Sequence, residues 1–452
     1  LLYHVLITVI IMNLLKVVSF FNSKVELVSS SKRFMSGDLQ KVYILSACRT
    51  PIGSFRSAFA SMKAPELGSI AIKAAVDQAG LFEYFFKVFR IINIFKKMYC
   101  NFLDIPPQII EEVYMGNVLQ AYSGQAPARQ ALIGAGLPNS IPATTVNNVC
   151  ASGLKAAMIA AQNLMCNHSE TIVAGGMESM SNVPFYLPRT EIPYGGTAIK
   201  DGIVYDGLWD VYNQIHMGSC AEKTAKEQCI SREAQDEYAK LSYERSASAW
   251  KRGVFNDEVV PVTVKQRDNV KIVSEDEEYK KCDFSRFASL KPVFNKDGGT
   301  GTITAANAST LNDGACALVL MNAVGIEKYS AKPKAEIVCF AEVATAPIDF
   351  PIAPAAAIEK VLKISGMKKE DIALWEINEA FSVVALANMK LLQLEKSKVN
   401  IHGGAVSIGH PLGMSGARIL THLVHSLKPN EYGIAAICYG GGGASAMLIK
   451  KI

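Results

Sequence analysis

Residues 147–176 open as Asn147-Asn148-Val149-Cys150-Ala151-Ser152-Gly153, continue as an apolar stretch to Cys166, and close as Thr171-Ile172-Val173-Ala174-Gly175-Gly176. Ser152 to Cys166 has helical periodicity, and the run after it reads as a buried strand ending in glycine. A helix feeding a buried strand is the unit of an α/β fold. The same alternation extends outward. Val42-Tyr43-Ile44-Leu45 and Val113-Tyr114-Met115 read as strands, with a helix over Pro65 to Ala79 whose proline sits in the tolerated first turn. Downstream, Ala335 to Phe340, Ile372 to Trp375, Val399 to Ile401 and Ile434 to Cys438 read as strands, with a helix over Ile358 to Ile364. Residues from about Ser181 to Asp297 are more polar and carry charged helices such as Glu233 to Arg252, an excursion out of the core. The expectation is α/β, with helix-covered sheets in both halves.

Composition narrows the function. At 452 residues, half of them hydrophobic and 19% charged, the chain has room for two or three compact units. The net charge of +5 is small, and Lys and Arg are scattered rather than clustered with aromatics, so no nucleic-acid partner is expected. Ten cysteines form no CxxC pair, which points to reduced thiols rather than a disulfide framework or zinc.

Two segments stand apart. Val5 to Phe21 is apolar but interrupted by Asn13 and Lys16, too short for a stable membrane span. Residues 1–11 are read as sequence upstream of a start at Met12. From there to residue 36 the chain is basic, Ser-rich and poor in acids, the make-up of a mitochondrial presequence, so residues 1–38 are assigned to targeting. Phe82 to Leu103, rich in Phe, Ile, Lys and Asn, is read as an atypical insertion between a helix and a strand.

The chemistry concentrates in glycine-rich turns. Cys150 stands at a strand-to-helix junction, where a helix N-terminus and backbone N–H groups would lower a thiol pKa. Cys438 precedes Gly440-Gly441-Gly442-Gly443. Between them come Asn378-Glu379-Ala380-Phe381 and a loop, Gly403-Gly404-Ala405-Val406-Ser407-Ile408-Gly409-His410-Pro411, that opens a helix near Ser415. Two thiols and an imidazole suit acyl transfer through a thioester: one thiolate carries the acyl group, a base activates it, a second thiol moves a proton. Each feature alone has a bland reading, a small buried hydrophobe or a turn residue.

In this order the motifs, with Gly176-Met177-Glu178-Ser179-Met180, resemble those of the thiolase family over about residues 40 to 452. The resemblance implies two similar α/β halves packed into five layers, with a loop domain inserted in the first half. It implies domains at 39–180 with 301–328, 181–300 and 329–452, and a homotetramer. It further implies reversible Claisen condensation of two acetyl-CoA to acetoacetyl-CoA and CoA, in the mitochondrial matrix, without a catalytic cofactor. Cys150, activated by His410, would carry the acetyl group, and Cys438 would take the proton from the second acetyl-CoA. One oxyanion hole would use His410 and a water on Asn378, the other the N–H groups of Cys150 and Gly440. Tyr243, Lys281, Asp283, Arg286 and Ser309 would contact coenzyme A. Potassium would sit at Tyr243, Ala305, Ala306, Ala308 and Val406, as in mitochondrial members. Phe350-Pro351 would admit a 2-methyl group and so 2-methylacetoacetyl-CoA.

This sequence departs from the family at Tyr439, where Asn or a small apolar residue is usual, at His402, where Asn is usual, and in a longer Asp297–Gly301 run. Ketoacyl synthases of related fold use Cys-His-His, which Cys438 argues against. A catalytically impaired thiolase-like protein that binds acyl-CoA or lipid is the alternative, opposed by the presence of both cysteines, His410 and Asn378.

Overall fold

The computed structural model describes residues 39–80, 109–266, 269–294 and 301–452. The presequence-like segment, the 82–103 insertion and most of the Asp297–Gly301 run lie outside the described residues.

The first half runs β1 (Val42–Arg49), α1 (Ala64–Gln78), β2 (Glu112–Gly116), α2 (Pro127–Gly134), β3 (Ala143–Val146), α3 (Ser152–Met165) and β4 (Thr171–Ser179). An excursion follows that contains short two-stranded pairs and two helices, α4 (Met217–Glu227) and α5 (Arg232–Lys251). The chain then returns to the core as β5 (Asn312–Asn322), buried along its whole length. The second half runs β6 (Ala335–Ala344), α6 (Ala353–Ser365), β7 (Ile372–Ile377), α7 (Ser382–Leu392), α8 (Leu412–Ser426), β8 (Tyr432–Tyr439) and β9 (Gly443–Lys451). The expected helix over Pro65 to Ala79 is α1. Pro65 lies in its first turn, and Glu66 accepts the Lys63 N–H at 2.7 Å.

Strand order reveals an internal repeat. Outward from the middle of the sheet the first half reads β1-β5-β4-β2-β3 and the second β6-β9-β8-β7. In each half the first strand pairs antiparallel with the last, and the last pairs antiparallel with the strand before it in the chain. That strand then pairs parallel with the half's second strand. Where the first half has β3, the second has a single parallel bridge, Trp375 to Val399. The strand expected at Val399 to Ile401 is therefore not formed. Asn400 takes a left-handed φ of 47°, and its side chain bonds the Ile377 N–H and C=O at 2.9 and 2.8 Å, replacing a ladder with a side chain.

The halves join through β1 and β6, at Val42–Ile337, Tyr43–Glu336 and Ile44–Ala335. α1 and α2 cover the first half, and α6 and α7 the second. α3 and α8 pack on each other between them, giving helix, sheet, helix, sheet, helix. No described helix is long and apolar enough to cross a membrane.

Candidate active site

The site begins with the contact between α3 and α8. A Cβ on Gly153 would lie 2.8 Å from the Gly413 carbonyl and the Ala417 N, and one on Gly416 would lie 2.6 Å from the Leu154 N. One on Gly176 would lie 1.9 Å from the Gly413 carbonyl. Any side chain there would push the two backbones apart. The motif glycines thus serve close backbone approach between the halves, which brings together the helix N-termini that follow Cys150 and His410. Gly409 is different: its φ of 107° needs glycine.

Cys150 precedes α3, after Val149 in a left-handed conformation with φ of 46°. Its own N–H and that of Gly440 both reach its sulfur. Burial nevertheless pushes the thiol up to about 12, against those two donors. This corrects the expectation of a lowered pKa: with the group removed from water, desolvation outweighs the helix terminus. Cys438, fully buried near the end of β8, is pushed up by burial and by the nearby Cys150 sulfur. Both thiols rest protonated.

His410 is held at two of its atoms. Its N–H donates to Asn312 Oδ1 at 2.9 Å, and its Nδ1 lies 2.6 Å from Ser415 Oγ. Ser415 Oγ donates to the Pro411 carbonyl at 2.8 Å. That donation uses the single hydroxyl proton, so Ser415 accepts from Nδ1–H and Nε2 keeps its lone pair. Nε2 is buried with no partner among the described residues. Burial, with the nearby Arg418 charge, lowers the imidazole to about 3, so it is neutral.

Asn378 follows β7, and its N–H donates to the Ala436 carbonyl at 2.9 Å. Its side-chain N and O are both buried without a partner among the described residues. Buried polar groups of this kind are normally paired, so these atoms, with His410 Nε2, indicate where water or substrate bonds. Two carboxylates buttress the turns. Glu379 accepts from Tyr238, Ser242, Asn400 and the Val406 N–H. Glu178, in the first half, accepts from Asn117, the Val118 and Leu119 N–H groups and the Gly413 N–H at 2.9 Å. Burial raises Glu178 to about 7 against those donors. Ser415, Asn312 and the role of Glu178 escaped sequence reasoning; a hydroxyl five residues after a histidine at a helix start was the available signal for Ser415.

The remaining predicted positions fall in two groups. Phe350, a buried residue with Pro351 beside it, shares an apolar cluster with Cys438, Phe381 and Met217. Lys281, Asp283 and Arg286 are exposed on the excursion, where Asp283 accepts from the Ser285 N–H and hydroxyl. Ser309 donates to the Ala380 carbonyl at 2.8 Å. Tyr243, Ala306 and Val406 meet in one cluster, while Ala308 bridges to Phe381 and Ala305 is exposed. Among the described residues no protein group bonds the hydroxyl of Tyr243, a buried residue, which leaves its oxygen free for a hard cation. His402 stands away from these groups, with its Nδ1 3.0 Å from His422 Nε2, and His422 bonds Glu258 at 2.9 Å.

Known proteins resemble this chain in sequence and fold. Residues 90–324 match the family model "Thiolase, N-terminal domain" and residues 331–451 match "Thiolase, C-terminal domain". The chain belongs to the thiolase family. It is 58% identical to the mitochondrial acetyl-CoA acetyltransferases of Mus musculus and Bos taurus, over 92% of this chain and 92% of each relative. Among solved structures, the Acat5 thiolase of Ascaris suum in complex with coenzyme A matches with a TM-score of 0.83 at 47% identity, covering 91% of this chain and 100% of that one. The Bacillus anthracis acetyl-CoA acetyltransferase matches with a TM-score of 0.84 at 36% identity, over 92% and 100%. The thiolase fold, two α/β halves with a loop excursion in the first, is therefore the fold of this chain.

Proposed function

We propose that this thiolase is an acetyl-CoA C-acetyltransferase whose acetyl group is carried on Cys150. What carries the assignment of roles is the set of buried polar atoms without a partner among the described residues, His410 Nε2 and the Asn378 side chain, together with two protonated thiols, Cys150 and Cys438, near each other. The neutral imidazole removes the Cys150 proton through Nε2, and the thiolate attacks the acetyl carbonyl. The tetrahedral oxyanion is held by the N–H groups of Cys150 and Gly440. As coenzyme A leaves, its sulfur takes the Cys438 proton, which turns Cys438 into a base. Cys438 then removes a methyl proton from the second acetyl-CoA. The enolate oxygen is stabilised by protonated His410 and a water on Asn378, and the carbon attacks acetyl-Cys150. The Cys150 sulfur leaves with the His410 proton, restoring both thiols. Thiolysis of acetoacetyl-CoA is the reverse. No redox step occurs.

Coenzyme A is bound along the excursion by Tyr243, Lys281, Asp283 and Arg286, and beyond it by Ser309, the basic pair suiting phosphates. The apolar cluster that Phe350 shares with Cys438, with buried Pro351 next in the chain, suits a 2-methyl group, so 2-methylacetoacetyl-CoA is a second substrate. Potassium, held by the Tyr243 hydroxyl and the carbonyls of Ala305, Ala306, Ala308 and Val406, would brace the turn between the excursion and α7. We take the units as 39–180 with 301–328, 181–300 and 329–452. A homotetramer would cover exposed apolar residues of the excursion, Leu187, Ile192, Tyr194, Ile199 and Tyr212 among them. The relatives are named mitochondrial, and residues 12–36 have presequence composition, which supports the mitochondrion and its matrix.

The test is CoA-dependent loss of the acetoacetyl-CoA enolate absorbance by the protein, by Cys150→Ala and by Cys438→Ala, with and without potassium. Abolished cleavage in both variants is expected. Undiminished cleavage by either would overturn its role.

A further inference from the structure

Asn378 lies just past the end of β7 and His410 just before α8, and the proposed enolate hole needs the two at a fixed separation. The Asn378 side chain cannot set that separation, because it has no partner among the described residues. The residues on either side of it are bound instead. Asn400 accepts the Ile377 N–H at 2.9 Å and donates to the Ile377 carbonyl at 2.8 Å. The same amide donates to Glu379 Oε1 at 3.0 Å, so it brackets Asn378. Glu379 is fully buried. Its Oε1 also accepts from the Tyr238 hydroxyl at 2.8 Å. Its Oε2 accepts from the Ser242 hydroxyl at 2.8 Å and the Val406 N–H at 3.1 Å. Tyr238 and Ser242 lie on α5 of the excursion. Val406 lies in the helical turn Ala405–Ile408, which runs directly into Gly409 and His410. A Cβ on Gly404 would fall 2.5 Å from Glu379 Cδ, so the backbone entering that turn rests on the carboxylate.

Four uncharged donors thus meet two oxygens, two on each, which fills the roughly four lone-pair sites of a carboxylate. An amide of the same shape has one accepting oxygen and one donating nitrogen, so two of these donors would face another donor. We infer that Glu379 is a positioning residue for the enolate half of the reaction, fixing Asn378 against the turn that carries His410. Its oxygens are taken up by the four donors, so it acts through Asn378 and not on substrate. Acetyl transfer onto Cys150 uses His410 and the N–H groups of Cys150 and Gly440 but not Asn378. A displaced Asn378 should therefore slow the step that forms or cleaves the carbon–carbon bond and spare the acetyl transfer.

The role of Glu379 rests on the one proposed for Asn378, and the test separates the two. Two rates are measured on the full chain, thiolysis of acetoacetyl-CoA and exchange of labelled coenzyme A into acetyl-CoA. The exchange needs only acetyl transfer onto Cys150 and back. KM for acetoacetyl-CoA and melting temperature accompany them. Glu379→Gln should lose about 10- to 100-fold in thiolysis kcat, with KM and exchange per folded molecule within about threefold. Tyr238→Phe removes one donor and leaves the carboxylate, so it should show the same split at smaller amplitude, and it carries the test should Glu379→Gln fail to fold. Thiolysis and exchange falling together in the folded variant, or thiolysis at the wild-type rate, would overturn the positioning role. Undiminished thiolysis by Asn378→Ala would instead overturn the reading of the enolate hole beneath it.

Discussion

Two helices hold equivalent places in the two halves and do opposite chemistry. α3 lies between β3 and β4, and α8 lies between the Val399 bridge and β8. The turn before α3 presents a thiol to two converging N–H groups. The start of α8 is already occupied: Glu178, from the other half, accepts the Gly413 N–H, and Ser415 holds His410 Nδ1. One N-terminus is left open to developing negative charge, and the other is closed so that a neutral imidazole faces outward with its lone pair. A repeated topology therefore yields a nucleophile from one half and a base from the other, and the contrast lies in what fills each helix start.

The sharpest way to break this contrast is at its two chemical ends. Cys150→Ala should cut acetyl transfer by about four orders of magnitude or more, measured as turnover with active protein confirmed by its melting curve. His410→Asn should cost about 10²- to 10⁴-fold in kcat and should also change the pH dependence of stability. Folded His410 stays neutral down to about 3, whereas an unfolded imidazole takes up its proton near 6.5. The unfolded state thus binds more protons between those limits, and this part of the stability is present above about pH 6.5 and lost as pH falls toward 3. Denaturant titrations should show the slope in the wild type and a flatter one in His410→Asn; equal slopes would place His410 in water.

The crossing itself is tested by Gly176→Ala. Its new methyl meets the Gly413 carbonyl at 1.9 Å, so overpacking should destabilise by about 1–3 kcal/mol, and activity should fall with it as the two helix starts separate. A variant of wild-type melting temperature would mean that the halves part easily. The smallest expected effect is at Ser415→Ala. The lost hydrogen bond costs about 1 kcal/mol, and release of the tautomer should lower kcat several-fold with KM unchanged; a change in KM alone would count against that role.

Much of this was legible in the chain. β-rich apolar runs alternating with helical periodicity placed α1, α3, β4 and β8 within a few residues, because these elements bury continuous apolar surface. β5 was not singled out, although it is the buried strand beside β1. It opens on Asn312 and Asp313, which look like turn residues in sequence, yet both are buried and paired: Asn312 with His410 N–H and Asp313 with Ser181. Val399–Ile401 went the other way, its apolar ends suggesting a strand that the Asn400 side chain replaces.

Residue identity by itself determined the two thiols, the imidazole and the glycine-rich turns around them, and hence acyl transfer through a thioester, since only those groups offer nucleophile, base and proton carrier together. The thiol pKa could not be read that way. The chain suggests a helix start that lowers the Cys150 pKa, whereas burial pushes it up to about 12. Only the tertiary structure decides how much water is removed from a group, which N–H groups converge on it, and which lone pair of His410 is left unpaired. Those depend on two halves packed backbone against backbone at Gly153, Gly176, Gly413 and Gly416.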